Sequence, residues 1–372
     1  MRLLFASDSF KGSLTSKEIS ELLTEAAREV LTDADCVGIP VADGGEGTVD
    51  ALIDAMGGEK VYVKVHNPLM AEIDAYYGKL SETSAVIEMA AASGLTLLSE
   101  EERNPLYTTT YGTGEMILDA LDRGFTDIYI AIGGSATNDG GMGCGRALGI
   151  KFFDRDGGEL SGTGIDLERL VYIDISGLDP RIKNTNITVM CDVTNPLCGE
   201  HGATRTFAEQ KGASPEIIER LERGMCNYRD VLRGLFGIDP NRITGGGAAG
   251  GLGTMLTTFL EGNMKSGIET VLDLVGFDEL LSGADYVITG EGRCDWQSSF
   301  GKVVCGVGER AKKAGVPVMV ICGSVGQGAE SLYDHGVKEI IPIMDSSITL
   351  DEAMRRAKEL YYEKALSVLK MI

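Results

Sequence analysis

Both ends of the chain alternate short apolar runs with longer stretches whose apolar residues recur at helical spacing. Residues 2–7 and 37–41 read as buried strands of a parallel sheet. Between them, Ile19, Leu22, Leu23, Ala26, Ala27 and Val30 share one helical face, with Thr15 or Ser16 placed to cap it. Residues 47–56 predict a second helix, stopped by Gly57 and Gly58. The C-terminal end repeats the alternation. Strands are predicted at 285–289, 316–322 and 340–344, and helices at 302–313, near 329–335 and as one long amphipathic segment over 350–369.

The middle follows a different rhythm. Strands at 60–65, 73–77 and 86–89 lack long helices between them. They are followed by a helix at 114–121, strands at 128–132 and 187–191, and a helix at 216–235. The pattern predicts an α/β protein of two domains. Residues 1–60 plus 284–372 would form a parallel-sheet α/β domain built from both termini. Residues 61–283 would form an inserted domain of mixed α/β structure. No internal repeat interrupts this plan.

Composition narrows the chemistry. Fifty-six acids against 34 bases give a net charge of −22, which opposes a nucleic-acid partner. A locally basic cleft for a small anion remains compatible with it. Three dispersed histidines argue against a His-rich metal site. Eight cysteines without a C-x-x-C pair fit reduced thiols in a cytoplasmic protein. The uncharged stretch 243–260 is too rich in glycine and threonine to predict a membrane span.

Glycine is the outlier, with 50 among 372 residues, and it is clustered. After the first predicted strand come Asp8, Ser9, Phe10, Lys11, Gly12 and Ser13, which offer hydroxyls and a cation for phosphate or carboxylate. After the second come Asp43, Gly44, Gly45 and Glu46. Two acids there suit Mg²⁺ held through water, or equally the dipole of the following helix. Gly133, Gly134, Ser135, Thr137, Asn138 and Asp139 follow a buried strand and suggest an anion nest. Gly245, Gly246 and Gly247 begin a literal G-x-G-x-x-G with no strand before it, so a phosphate loop is expected rather than a dinucleotide fold. Glu291, Arg293 and Asp295 precede Gly301-Lys302, where the Walker pattern fails. Asp192 and Asn195 follow another strand, as base or metal ligand, or as an Asx turn before Pro196. Phosphates, Mg²⁺ and lysines are the common demand, and they suit phosphoryl transfer.

Several of these runs together resemble the bacterial glycerate kinase family. They are Asp8-Ser9-Phe10-Lys11, Val41-Ala42-Asp43-Gly44-Gly45-Glu46-Gly47, the run from Gly133 to Gly141, Cys191-Asp192-Val193-Thr194-Asn195, Gln210-Lys211-Gly212 and Thr289-Gly290-Glu291-Gly292-Arg293. The resemblance spans nearly the whole chain. It implies ATP-dependent phosphorylation of D-glycerate, usually to 2-phosphoglycerate, and a flavodoxin-like domain with a second domain and the site in the cleft between them. Cys294 and Trp296 replace the leucine and glycine usual in that family, and Ala208-Glu209 replace a Gly-Pro. These departures leave room for a kinase of another small hydroxy acid. A non-catalytic sensor of nucleotide or sugar acid is the reading from a different class.

Roles are inferred on that basis. Asp192, then Asp43, is expected to accept the proton of the substrate hydroxyl. Lys11 and Lys302 would stabilise charge on the transferred group. Glu291, Asp43 and Asp192 are candidate Mg²⁺ ligands. Ser9, Gly133, Gly134, Ser135, Asn138, Asp139, Asn195, Gly245, Gly246, Gly247 and Arg293 are expected to bind substrate or phosphate. The expected partners are small molecules alone, with ATP and Mg²⁺ required, no nucleic acid or membrane, and a homo-oligomer compatible with the sequence.

Overall fold

The computed structural model describes residues 1–299, 301–345 and 348–372. The chain divides into two compact units. The first comprises Met1–Asp43, Asp50–Gly57 and Ser266–Ile372, and the second Gly44–Val49 and Gly58–Lys265.

The first unit carries a five-stranded sheet, parallel throughout, in the spatial order Val337–Pro342, Val318–Cys322, Tyr286–Thr289, Arg2–Phe5, Asp35–Gly38. Numbered along this unit, the order is 2-1-3-4-5, the flavodoxin-like arrangement. The first helix, Ser16–Val30, begins at a capping box. Thr15 Oγ1 accepts the Glu18 N–H at 3.1 Å, and the Glu18 carboxylate accepts the Thr15 N–H at 2.9 Å. Its apolar face joins Leu3, Phe5, Ile288, Ile321 and Tyr361 in one core.

Three expectations shift here. The strand predicted at 37–41 lies at Asp35–Gly38, because the chain leaves the sheet early and the Val41 N–H donates to Ser16 Oγ at 3.0 Å. The segment near Ala329–His335 is a 3₁₀ helix. The terminal helix is two helices, Leu350–Arg355 and Ala357–Leu369, broken at Arg356 with φ −103° and ψ 18°.

The second seam lies near residue 266 rather than 284. Arg310, on the helix Val303–Ala314, explains the difference. Its guanidinium meets Glu269 at 2.7 Å, Asp273 at 2.6 Å and Asp278 at 2.8 Å, tying residues 267–281 to the first unit. A sequence scan sees no such tie, because the partners stand 32 to 41 residues apart.

The second unit holds a six-stranded sheet in the order Asn263–Lys265, Asn186–Met190, Asp127–Ala131, Ser84–Glu88, Glu72–Lys79, Glu59–His66. Its first four strands are parallel and the last two pair antiparallel. The buried faces of Ile87, Ile128, Ile130 and Val189 pack with Met116, Leu252 and Met255 into a separate core. Among the described residues, no helix is long and apolar enough to cross a membrane.

Candidate functional site

In the first unit the strand order reverses between Arg2–Phe5 and Tyr286–Thr289, and a doubly wound sheet opens its ligand crevice beyond the carboxyl ends at such a point. Asp8 and Glu291 stand just there. The Asp8 N–H donates to the Gly290 carbonyl at 2.9 Å, which ties the two loops together. Asp8 is 7 % exposed and Glu291 4 %.

Burial dominates the electrostatics. It pushes the Asp8 carboxyl up to about 7; Asp43 and Glu291 add to the rise, while the Ser9 N–H and Lys11 oppose it. Burial also raises Glu291, against the pull of Ser298, Lys302 and Cys294. The Asp8 carboxyl therefore lies within reach of the charges of both Asp43 and Glu291 at the sheet's carboxyl edge. Glu291 Oε1 is buried without a hydrogen-bond partner among the described residues. A hard divalent cation, which takes carboxylate oxygens, suits such a donor set.

Cationic groups lie at the same edge. Lys302 Nζ is 3.6 Å from Glu291 Oε2, and Lys302 stands at the residue preceding the helix Val303–Ala314. Lys11 is exposed, and Ser9 donates its N–H to Asp8 at 2.7 Å. Arg293 is exposed and pairs with Asp295 at 3.2 Å. Beside them opens an apolar pocket lined by Phe10, Leu14, Met344, Leu350 and Met354, with Lys11, Ser13 and Ser324 as polar members. Cys294 is buried beside Cys322 and Glu291, whereas Trp296 is exposed.

In the second unit, two glycine runs far apart in sequence meet. A side chain on Gly133 would stand 3.1 Å from the Gly45 Cα, a tight contact, so glycine favours this approach. Glu88, at the end of its strand, accepts the Val49 N–H at 2.7 Å and holds the segment 44–49 in place. Gly134 is exposed with φ +76°, and Ser135 follows it into the core. Behind this loop lies Lys211, 2 % exposed, donating to Ser135 Oγ and the Thr137 carbonyl, each at 2.7 Å. Burial pulls its ammonium down to about 7, and the charge of Asp139 partly restores it.

Several expected ligands are engaged in contacts within the fold. Asp139 is fully buried and accepts from Thr110 N and Oγ1 at 2.8 Å each, Gly141 N at 3.0 Å and Gly143 N at 3.2 Å. Its acceptor capacity serves the fold, and its charge acts on the buried Lys211. Asn138 is buried on Thr204, with Nδ2 donating to Oγ1 at 3.1 Å. Asn195 donates to the His201 carbonyl at 2.8 Å, within its own loop. Gly245, Gly246 and Gly247 are buried rather than open to a phosphate. The N–H groups of Gly246 and Gly247 already bond the carbonyls of Ile243 and Asn195 at 2.9 Å. Asp192 is exposed on the loop after Asn186–Met190.

Asp8 and Lys211 lie in runs that the sequence marks, yet sequence reasoning gave neither a role. Asp8 had a signal, a strand-end acid beside Ser9 and Lys11. Lys211 had only its place in the run Gln210-Lys211-Gly212, because its burial arises from contacts 74 and 76 residues away.

A model of the glycerate kinase family matches residues 3–372. The chain is 46 % identical over 358 residues to glycerate 2-kinase of Escherichia coli K12, covering 96 % of this chain and 94 % of that one. It is 43 % identical over 367 residues to glycerate kinase of Halalkalibacterium halodurans, covering 98 % and 97 %. A crystal structure assigned as glycerate kinase 2 from Salmonella typhimurium LT2 superposes with a TM-score of 0.89 at 44 % identity, covering 100 % of this chain and 98 % of the other.

Proposed function

The chain belongs to the glycerate kinase family, and from that premise we propose that it transfers the γ-phosphoryl group of ATP to D-glycerate, giving 2-phosphoglycerate. The observation that carries the reading onto this chain is the convergence of Asp8, Asp43 and Glu291 with Lys11 and Lys302 at a topological switch point. Phosphoryl transfer asks for charge neutralisation and positioning, and this set supplies both.

Lys11 and Lys302 offer positive charge to the phosphate oxygens as charge develops on them. Asp8, Asp43 and Glu291 would hold Mg²⁺, which when bound neutralises charge on the nucleotide phosphates. The repulsion that Asp43 and Glu291 exert on Asp8 and the unpartnered Glu291 Oε1 both fit that occupant. The apolar pocket of Phe10, Leu14, Met344, Leu350 and Met354 suits the flat face of adenine. Asp192 takes the proton of the attacking hydroxyl. The loop of Gly133, Gly134 and Ser135 is a second anion-binding candidate, held from behind by Lys211.

The test is an ADP-release assay with ATP, Mg²⁺ and D-glycerate, followed by NMR of the product. ADP formation that depends on glycerate, with phosphate on the 2-hydroxyl, is expected. Turnover with tartronate or another hydroxy acid but none with glycerate would overturn the substrate.

A further inference from the structure

Away from these sites, Cys198, Glu222 and Cys226 bring one ligand atom each to within 4.8 Å of one another. Glu222 and Cys226 lie one turn apart on the helix Pro215–Phe236, on the same face. Cys198 is buried in the loop that packs on that turn, and Cys226 is half-buried. Glu222 is 6 % exposed; its Oε1 accepts the Gly199 N–H at 2.7 Å and the Cys226 thiol at 3.7 Å. Its other oxygen, Oε2, is buried and has no hydrogen-bond partner among the described residues. An unpaired buried carboxylate oxygen is costly, so its persistence beside two thiols calls for a partner.

We propose that Cys198, Glu222 and Cys226 form a binding site for a borderline-soft divalent cation of the Zn²⁺ type. Two sulfurs and one carboxylate oxygen are a donor set that such a cation prefers over Mg²⁺, with a fourth tetrahedral position left for water. Binding releases one proton from each thiol to solvent and forms two metal–thiolate bonds and one metal–carboxylate bond. Arg229 Nη1, 3.6 Å from Cys198 Sγ and paired on its other side with Asp230, offsets part of the ligands' negative charge. The bound cation staples the loop at Cys198 to the helix. The other cluster of this kind among the described residues, Cys305, Glu309 and His335, has its carboxylate already paired with the His335 ring at 3.0 Å, so its geometry is explained without a metal.

Metal-stripped, reduced full-length protein is titrated with Co²⁺, whose thiolate charge-transfer absorption reports sulfur ligation, and with Zn²⁺ in equilibrium dialysis. One equivalent with that absorption is expected. Cys226→Ala should abolish the absorption and Glu222→Gln should weaken binding at least about tenfold, while Cys305→Ala leaves both unchanged. If the variants fold poorly, wild-type protein decides: Zn²⁺ should protect Cys198 and Cys226 from alkylation, read by peptide mass spectrometry. No charge-transfer band, binding indifferent to Cys226 and Glu222, loss of binding in Cys305→Ala, or unprotected Cys198 and Cys226 would each overturn the proposal.

Discussion

The ammonium of Lys211 donates to Ser135 Oγ at 2.7 Å from a position almost sealed from water. It also holds the Thr137 carbonyl, so one side chain fixes the loop that presents Gly133 and Gly134. Lys211→Met keeps the volume and the burial but leaves both acceptors unpaired. We expect a fall in kcat/KM of at least about tenfold, a change of about 1.4 kcal/mol, with the far-UV spectrum retained. Steady-state kinetics with thermal melts as control will check it.

Asp8 gives a pH-dependent signature. Its folded pKa of about 7 lies above its ordinary value of 3.8, so the folded chain holds a proton that the unfolded chain loses. Its contribution to stability is full at low pH and is lost as pH rises through about 7. Asp8→Asn removes this penalty. In Mg²⁺-free buffer the variant should gain on wild type between about pH 4 and pH 7, by about 4 kcal/mol at the most. Urea unfolding at pH 5 and pH 8 will show it, and equal differences at both would refute the assignment.

Asp192 and Asp8 predict different kinetic defects. Asp192→Asn, if Asp192 is the base, lowers kcat by more than about tenfold and leaves the apparent affinity for Mg²⁺ unchanged. Asp8→Asn raises the Mg²⁺ concentration needed for half-maximal rate. Titrating Mg²⁺ for each variant separates the two roles.

The apolar pocket predicts a nucleotide-specific defect. Met354→Glu places a charge where the adenine face would rest, beside Phe10 and Leu350. KM for ATP should rise several-fold, with KM for glycerate nearly constant. A selective rise in the glycerate KM would remove the pocket from the nucleotide site.

Gly247 tests packing without backbone strain, since its φ is −80°. A Cβ there would lie 2.2 Å from the Pro196 carbonyl oxygen. Gly247→Ala is expected to destabilise the fold by about 1–3 kcal/mol, the usual cost of overpacking. A shift in the urea midpoint at unchanged m-value is the readout.

The sequence by itself determined most elements and the phosphate-handling class. Period-2 and period-3.6 patterning is local, and it placed Arg2–Phe5, Ser16–Val30 and Asn186–Met190 within a few residues. Strand-end glycines beside acids and lysines marked Lys11, Asp43, Glu291 and Lys302, because a loop that meets phosphate needs those residue types. Burial and pairing came from tertiary contacts alone. Asn138, Asp139 and Gly247 read as ligands in one dimension, yet Thr204, Thr110 and Asn195 satisfy them in three. Only the folded chain set Asp8 among other acids and pulled Lys211 out of water, since desolvation is a property of neighbours and not of residue type.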